Sequence, residues 1–181
     1  MSFPTIEFAA LFLVVFIVSW ALMPHPSAWR PFILAASYFF YGWVDWRWVL
    51  LLIGSSVVNT VASQVIARSA SQSTRRRALI AAVAFDLGLL AVFKYLGFFV
   101  SEMDVTLESI GLGSPLPLVQ IVLPIGISFF TFQAISYVVD VYRGETPAAS
   151  LVDVAILQAF FPHLVAGPIV RANELIGRAH V

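Results

Sequence analysis

The chain contains no cysteine. A disulfide framework and a thiolate metal site are therefore both excluded. Charge is scarce as well: 11% of the 181 residues are charged, against about 25% in a soluble domain. With 60% hydrophobic residues and a mean hydropathy of +0.93, a soluble fold would lack the polar residues to cover its surface. The chain reads as a multi-pass membrane protein. It lacks long runs of base, so nucleic acid is not an expected partner. Its zero net charge says nothing about other partners. Histidine occurs only at His25, His163 and His180. No paired carboxylates, metal-ligand cluster, serine-triad spacing or phosphate-binding glycine loop appears.

What is present is a series of apolar spans. The first covers residues 6–22. A signal peptide is its rival, but residues 1–7 carry no Lys or Arg for a positive leading region, so a membrane helix is the better reading. Pro24 and Pro26 then break the chain. Residues 31–44 form a shorter span, interrupted by Asp45, Trp46 and Arg47, and residues 48–67 resume it. This pattern predicts two helices joined by a tight turn at the membrane surface. The rings of Tyr38, Phe39, Phe40, Tyr41, Trp43, Trp46 and Trp48 suit an interfacial belt. Asn59, inside the third span, is expected to hydrogen-bond a neighbouring helix.

Residues 69–74 read as a polar loop, followed by Arg75, Arg76 and Arg77. With Arg68 the segment holds four arginines and no acid. The positive-inside rule places it in the cytoplasm; a nucleic-acid or anionic-lipid patch is the alternative. Residues 78–100 form a fourth span containing Asp86 and Lys94. These two share a helical face but lie about 12 Å apart along the axis, too far to pair. Lys94 can snorkel to the surface, whereas Asp86 is deeper and needs a partner from another helix or water. Residues 101–118 carry Glu102, Asp104 and Glu108 and no base, and read as an outside loop. Counting back puts the N-terminus outside. Arg30, Arg68, Arg75, Arg76, Arg77 and Arg143 then fall inside, with only Arg47 outside.

The stretch that organises the chain is residues 123–144, LPIGISFFTFQAISYVVDVYRG. It is long and apolar enough to cross a bilayer, yet too polar to face lipid all round. At about 100° per residue, Gln133, Ser136, Asp140 and Arg143 lie within roughly 80° of one another. Phe130, Ala134, Val138 and Val141 lie on the other side. A lipid-buried carboxylate is costly, so Asp140 is expected to face protein or a water-filled cavity near the membrane surface. Pro124 suits a first helical turn and Gly144 a C-terminal stop. An ordinary packed helix with a polar seam fits as well, because such seams also serve as packing glue. The last apolar stretch, residues 151–170, is broken by Pro162 and by Gly167 and Pro168. Irregular backbone at membrane depth survives only where protein or a cavity surrounds it, which predicts a re-entrant segment.

Residues 123–144 closely resemble the signature of the membrane-bound O-acyltransferase family, in its bacterial alginate O-acetyltransferase branch. A second match is FFPHLVAGPIVR at residues 160–171, and weaker ones are SYFFYGW at 37–43 and FKYLGFF at 93–99. The resemblance implies an all-α, multi-pass fold, with about five spanning helices of bilayer length and a C-terminal re-entrant segment. It implies the N-terminal part of an enzyme that transfers an acyl group, most simply acetyl, to hydroxyls of an exported polysaccharide such as alginate. Relatives that acylate peptidoglycan or teichoic acid leave the acceptor open. No bound cofactor is implied, only an acyl donor of unspecified identity. The implied partners are the lipid bilayer, the polysaccharide, and acetylation-complex proteins outside the bacterial plasma membrane.

A histidine base would suit the reaction, because its pKa lies near the working pH. The resemblance puts the principal catalytic histidine beyond Val181, so His163 is expected to bond or pack and the chain alone to be inactive. Gln133, Ser136, Asp140, Arg143, His163 and Arg171 would line or support the family's membrane tunnel. The last six residues, IGRAHV at 176–181, resemble one reading frame of a sequencing-library adapter, which would make Arg178 and His180 non-native. Two other functions compete. Asp86, Lys94 and Asp140 together with proline-broken helices also mark transporter or channel subunits, although no inverted repeat is evident. A catalytically silent membrane scaffold is the third.

Overall fold

A computed structural model describes residues 6–109 and 126–160. These form six helices: α1 (Ile6–Leu22), α2 (Pro26–Val44), α3 (Trp46–Arg68), α4 (Gln72–Ser109), α5 (Ile127–Arg143) and α6 (Leu151–Ala159). No strand occurs among the described residues. The central helix is α3, which packs against α2, α4, α5 and α6. Two helical segments, Trp46–Arg68 and Gln72–Tyr95, are long and apolar enough to cross a membrane, and Phe8–Leu22 is a shorter apolar helix.

The joints are short and chemically specified. Pro26 opens α2, where a missing N–H costs nothing. Pro31 lies inside the same helix, so the helix starts five residues before the span at 31–44; one proline this near the start removes a single helical hydrogen bond. Asp45 serves two helices at once. Its N–H donates to the Tyr41 carbonyl at 3.1 Å, and its carboxylate accepts from the Arg47 N–H at 2.9 Å. The expected tight turn is therefore present. Its counterpart after Arg68 is tighter than expected. Only residues 69–71 link α3 to α4, so Arg75, Arg76 and Arg77 are helical rather than following a six-residue loop.

Two further boundaries differ from the sequence expectation. Helix α4 runs 38 residues to Ser109, about 57 Å against a hydrocarbon layer of about 30 Å. Residues 101–109 thus continue the helix instead of opening a loop. Nothing there stops a helix, since the glycines and prolines of this acidic stretch come only after Ser109. Helix α5 begins at Ile127, not at residue 123, after Gly126 in the left-handed region at φ 73°. Pro124 lies outside the described residues. At the other end Gly144 takes φ 79°, its N–H reaches the Val141 carbonyl, and the Glu145 N–H reaches the Asp140 carbonyl at 2.9 Å. This is a Schellman stop, and glycine carries the left-handed residue without a Cβ clash. Ser150 caps α6, accepting from the Asp153 N–H and donating to the Asp153 carboxylate at 2.7 Å.

Two apolar clusters hold the helices together. One joins Phe40 and Tyr41 of α2, Trp48 and Leu52 of α3, and Ile127 and Phe130 of α5. The other joins Ala62 and Ile66 of α3, Tyr137, Val138 and Val141 of α5, and Val154 and Leu157 of α6. Large apolar side chains of α1, including Phe12, Phe16 and Trp20, are exposed, the pattern of a lipid-facing surface.

Candidate functional site

In α5 the buried face is the apolar one. Ile127, Phe130, Thr131, Ala134, Tyr137, Val138 and Val141 are buried, and of the polar seam only Gln133 joins them. Ser136 and Asp140 are half-buried, and Arg143 is exposed. Among the described surroundings Gln133 is enclosed by protein, and Ser136 and Asp140 are partly so. Arg143 does not pair with Asp140; its nearest carboxylate is Glu145 at 3.9 Å, an exposed contact. The reason is positional. Asp140 and Arg143 both occupy the last turn of α5, and Glu145 follows directly after the Gly144 stop. His163 and Arg171, with the expected re-entrant segment, lie outside the described residues, as does the 176–181 run.

The polar groups that the bundle does enclose lie mainly on α3. Ser55, Ser56, Asn59, Thr60 and Ser63 are all buried and recur every three to four residues, as one helical stripe does. Ser55 Oγ and Asn59 Nδ2 each donate to Asp86 Oδ1 at 3.2 Å, joining α3 to α4. Asn59 Nδ2 also reaches the Ser55 carbonyl at 2.9 Å. This meets the expectation for both residues: Asn59 bonds a neighbouring helix, and Asp86, only 1% exposed, finds its partners there. Lys94 is remote from this cluster; it is exposed, with its ammonium 5.8 Å from the Tyr95 ring centre.

Further along the stripe, Ser56 Oγ lies 2.8 Å from both the Leu52 carbonyl and Gln158 Oε1. One hydroxyl proton cannot serve both acceptors fully. Rotating the Gln158 amide lets its nitrogen donate to Ser56 Oγ and leaves the hydroxyl for Leu52. Thr60 and Ser63 satisfy themselves on the preceding turn. Tyr137 Oη then donates to Ser63 Oγ at 3.1 Å and accepts from the Ala149 N–H at 2.8 Å. Tyr137 thus fixes α5 to α3 and pins the segment that leads into α6. Neither Tyr137 nor the serines had been singled out. The signal was visible: small polar residues at 55, 56, 59, 60 and 63 form a regular stripe in an otherwise apolar helix.

At one end of the bundle the basic residues gather. Arg75 Nη2 donates to the Tyr142 carbonyl at 2.9 Å and its guanidinium lies 5.5 Å from the Tyr142 ring centre. Gln72 reaches the Tyr142 hydroxyl at 2.9 Å. These contacts set the start of α4 beside the end of α5. Arg30 Nε lies 3.5 Å from Asp153, bringing the start of α2 beside the start of α6. Arg47 is at the opposite end, beyond the α2–α3 turn. Among the described residues the only histidine is His25, exposed between α1 and α2. What these residues do together is hold helices in register.

No family model matches the chain, and no solved structure matches it. Curated relatives do. The chain is 41% identical over 178 residues to a protein of Pseudomonas aeruginosa named probable alginate O-acetylase AlgI, covering 97% of this chain and 34% of that protein. It is 38% identical over 193 residues to the protein of the same name from Azotobacter vinelandii, at 97% and 35% coverage. A peptidoglycan O-acetyltransferase of Helicobacter pylori is 29% identical over 176 residues, at 83% and 32% coverage. Over nearly its whole length the chain is thus similar to the bacterial alginate O-acetylases, which are membrane-bound O-acyltransferases. It spans about a third of the length of these relatives.

Proposed function

We propose that this chain is the N-terminal part of a membrane O-acyltransferase that moves an acyl group, acetyl in the simplest case, onto hydroxyls of an exported polysaccharide. The observation that carries the reading is the 41% identity to the alginate O-acetylase over 97% of the chain. Alginate is the first acceptor to test, and peptidoglycan the second, on the strength of the Helicobacter pylori relative. The helices supply a frame joined by buried polar contacts between α3 and α4, α5 and α6. Within this reading Gln133, Ser136, Asp140, Arg143, His163 and Arg171 line or support the path where donor and acceptor meet. The proton-transferring base belongs to the remainder of the enzyme.

The orientation follows the arginines. Arg30, Arg68, Arg75, Arg76, Arg77 and Arg143 share one end, which the positive-inside rule puts in the cytoplasm of a bacterial plasma membrane. The contacts of Arg75 with Tyr142 and of Arg30 with Asp153 support that grouping. The N-terminus and the far end of α4 then lie outside, with the acceptor and any partner proteins of an acetylation complex. The full-length protein in sealed vesicles, given a labelled acyl donor and either glycan, should form alkali-labile esters. The isolated chain should form none. Transfer by the isolated chain, lost in His163→Ala, would relocate the base to His163.

A further inference from the structure

Four arginines, Arg68, Arg75, Arg76 and Arg77, gather where α3 ends and α4 begins, with no acid between positions 68 and 77. Arg75 is engaged with Tyr142. Arg68, Arg76 and Arg77 are exposed. The ion pairs among the described residues, Arg30 with Asp153 and Arg143 with Glu145, leave these three without an acidic partner. Arg76 and Arg77 also stand near the start of α4, where the helix dipole is already positive. Electrostatics at this corner calls for an anion.

The shape beside it says which kind. A surface groove of about 310 Å³ is lined by Val61, Gln64, Val65, Arg68 and Ser69. Above it Leu50, Ile53, Val57, Val61 and Val65 are all exposed. Their three- and four-residue spacing sets them on one face of α3 that ends at Arg68. From Leu50 to Val65 the stripe rises about 22 Å, longer than the roughly 15 Å of hydrocarbon in one leaflet. An apolar track of acyl-chain length with a cation and hydrogen-bonding groups at its foot has the form of a phospholipid.

We propose that this groove binds an anionic phospholipid from the leaflet at the arginine-rich end. Its phosphate meets Arg68 and Ser69, and an acyl chain lies along the Leu50–Val65 face. A zwitterionic headgroup fits less well, because its own cation would sit among uncompensated arginines. The inference goes beyond the transferase reading and needs only that the bundle be membrane-embedded.

The test compares lipid retention by the purified full-length protein in native mass spectrometry, from nanodiscs holding equal phosphatidylglycerol and phosphatidylcholine. Phosphatidylglycerol should be retained preferentially. Arg68→Gln should cut that preference about fivefold, as expected for one arginine near an anionic surface, and Arg76→Gln with Arg77→Gln should lower it further. Arg47→Gln, at the opposite end, should leave it unchanged. A photo-crosslinker at Val61 should capture lipid. Equal retention of the two lipids, a preference that survives loss of Arg68, or capture of protein at Val61 would overturn the proposal. So would Arg68-dependent retention of a single-stranded oligonucleotide in place of lipid. Melting temperatures of each variant in both lipids separate loss of binding from loss of folding.

Discussion

Replacing Asn59 by leucine probes the joint between α3 and α4. Asn59 is fully buried, and its Nδ2 donates to Asp86 Oδ1 and to the Ser55 carbonyl. Leucine fills similar space but donates nothing. Asp86 would keep only the Ser55 hydroxyl at 3.2 Å, and its Oδ2 has no donor even in the native arrangement. A buried polar group stripped of its partner costs about 1–3 kcal/mol. Within a bilayer the unfolded reference also finds partners, and measured interhelical bonds average about 0.6 kcal/mol with a maximum near 1.7. Because Asn59 serves two acceptors in a site closed to water, the expected loss is about 1–2 kcal/mol, within the range set by these two limits. Asp86→Leu alone should also destabilise, leaving the Ser55 hydroxyl and one Asn59 N–H without their α4 acceptor. The double variant should cost less than the sum, since removing both polar partners removes the penalty of leaving one stranded. Reversible unfolding of the full-length protein in mixed micelles measures all three. Additivity within about 0.3 kcal/mol would mean that the two residues are uncoupled, and the reading of this joint would be wrong.

Other outcomes follow from the same geometry. Tyr137→Phe removes the hydroxyl shared by Ser63 and the Ala149 N–H; it should cost about 1–3 kcal/mol and speed proteolysis within residues 144–150. Gly144→Ala forces a Cβ into the left-handed region at φ 79° and should lower stability by about 1–2 kcal/mol, read as a shift in the same unfolding curve. Single cysteines introduced as Ser71→Cys and Ser109→Cys stand at opposite ends of α4; impermeant reagents should label them from opposite sides of the membrane, and labelling of both from one side would refute the topology.

Much of the architecture is legible in the residues, and the misses have physical causes. Asp45 announced a turn because it interrupts two apolar runs and can cap a helix. Asn59 and Asp86 announced partners because neither tolerates lipid alone. For α5, helical periodicity identifies two faces without saying which one the neighbours cover. The chain buries the Phe130, Ala134 and Val138 face, with Asp140 half-buried and Arg143 exposed in the last turn. The serines of α3 passed unnoticed because each is small and unremarkable singly; only their recurrence at 55, 56, 59, 60 and 63 carries information. Glu102, Asp104 and Glu108 suggest a loop, yet charged residues are ordinary in an exposed helix, and α4 runs on to Ser109. His163 and Arg171 stand out through motif resemblance alone, since neither carries decisive chemistry in isolation, and both lie outside the described residues.

The central claim is that the full-length protein esterifies an exported polysaccharide. Its most direct test is the ester content of that glycan in the native cell, after deletion of the gene and after its return. Acetyl esters released by mild alkali should fall in the deletion strain and recover with the full-length gene, but not with a gene encoding only these 181 residues. Unchanged esterification of alginate, peptidoglycan and every other exported glycan after deletion would contradict the account.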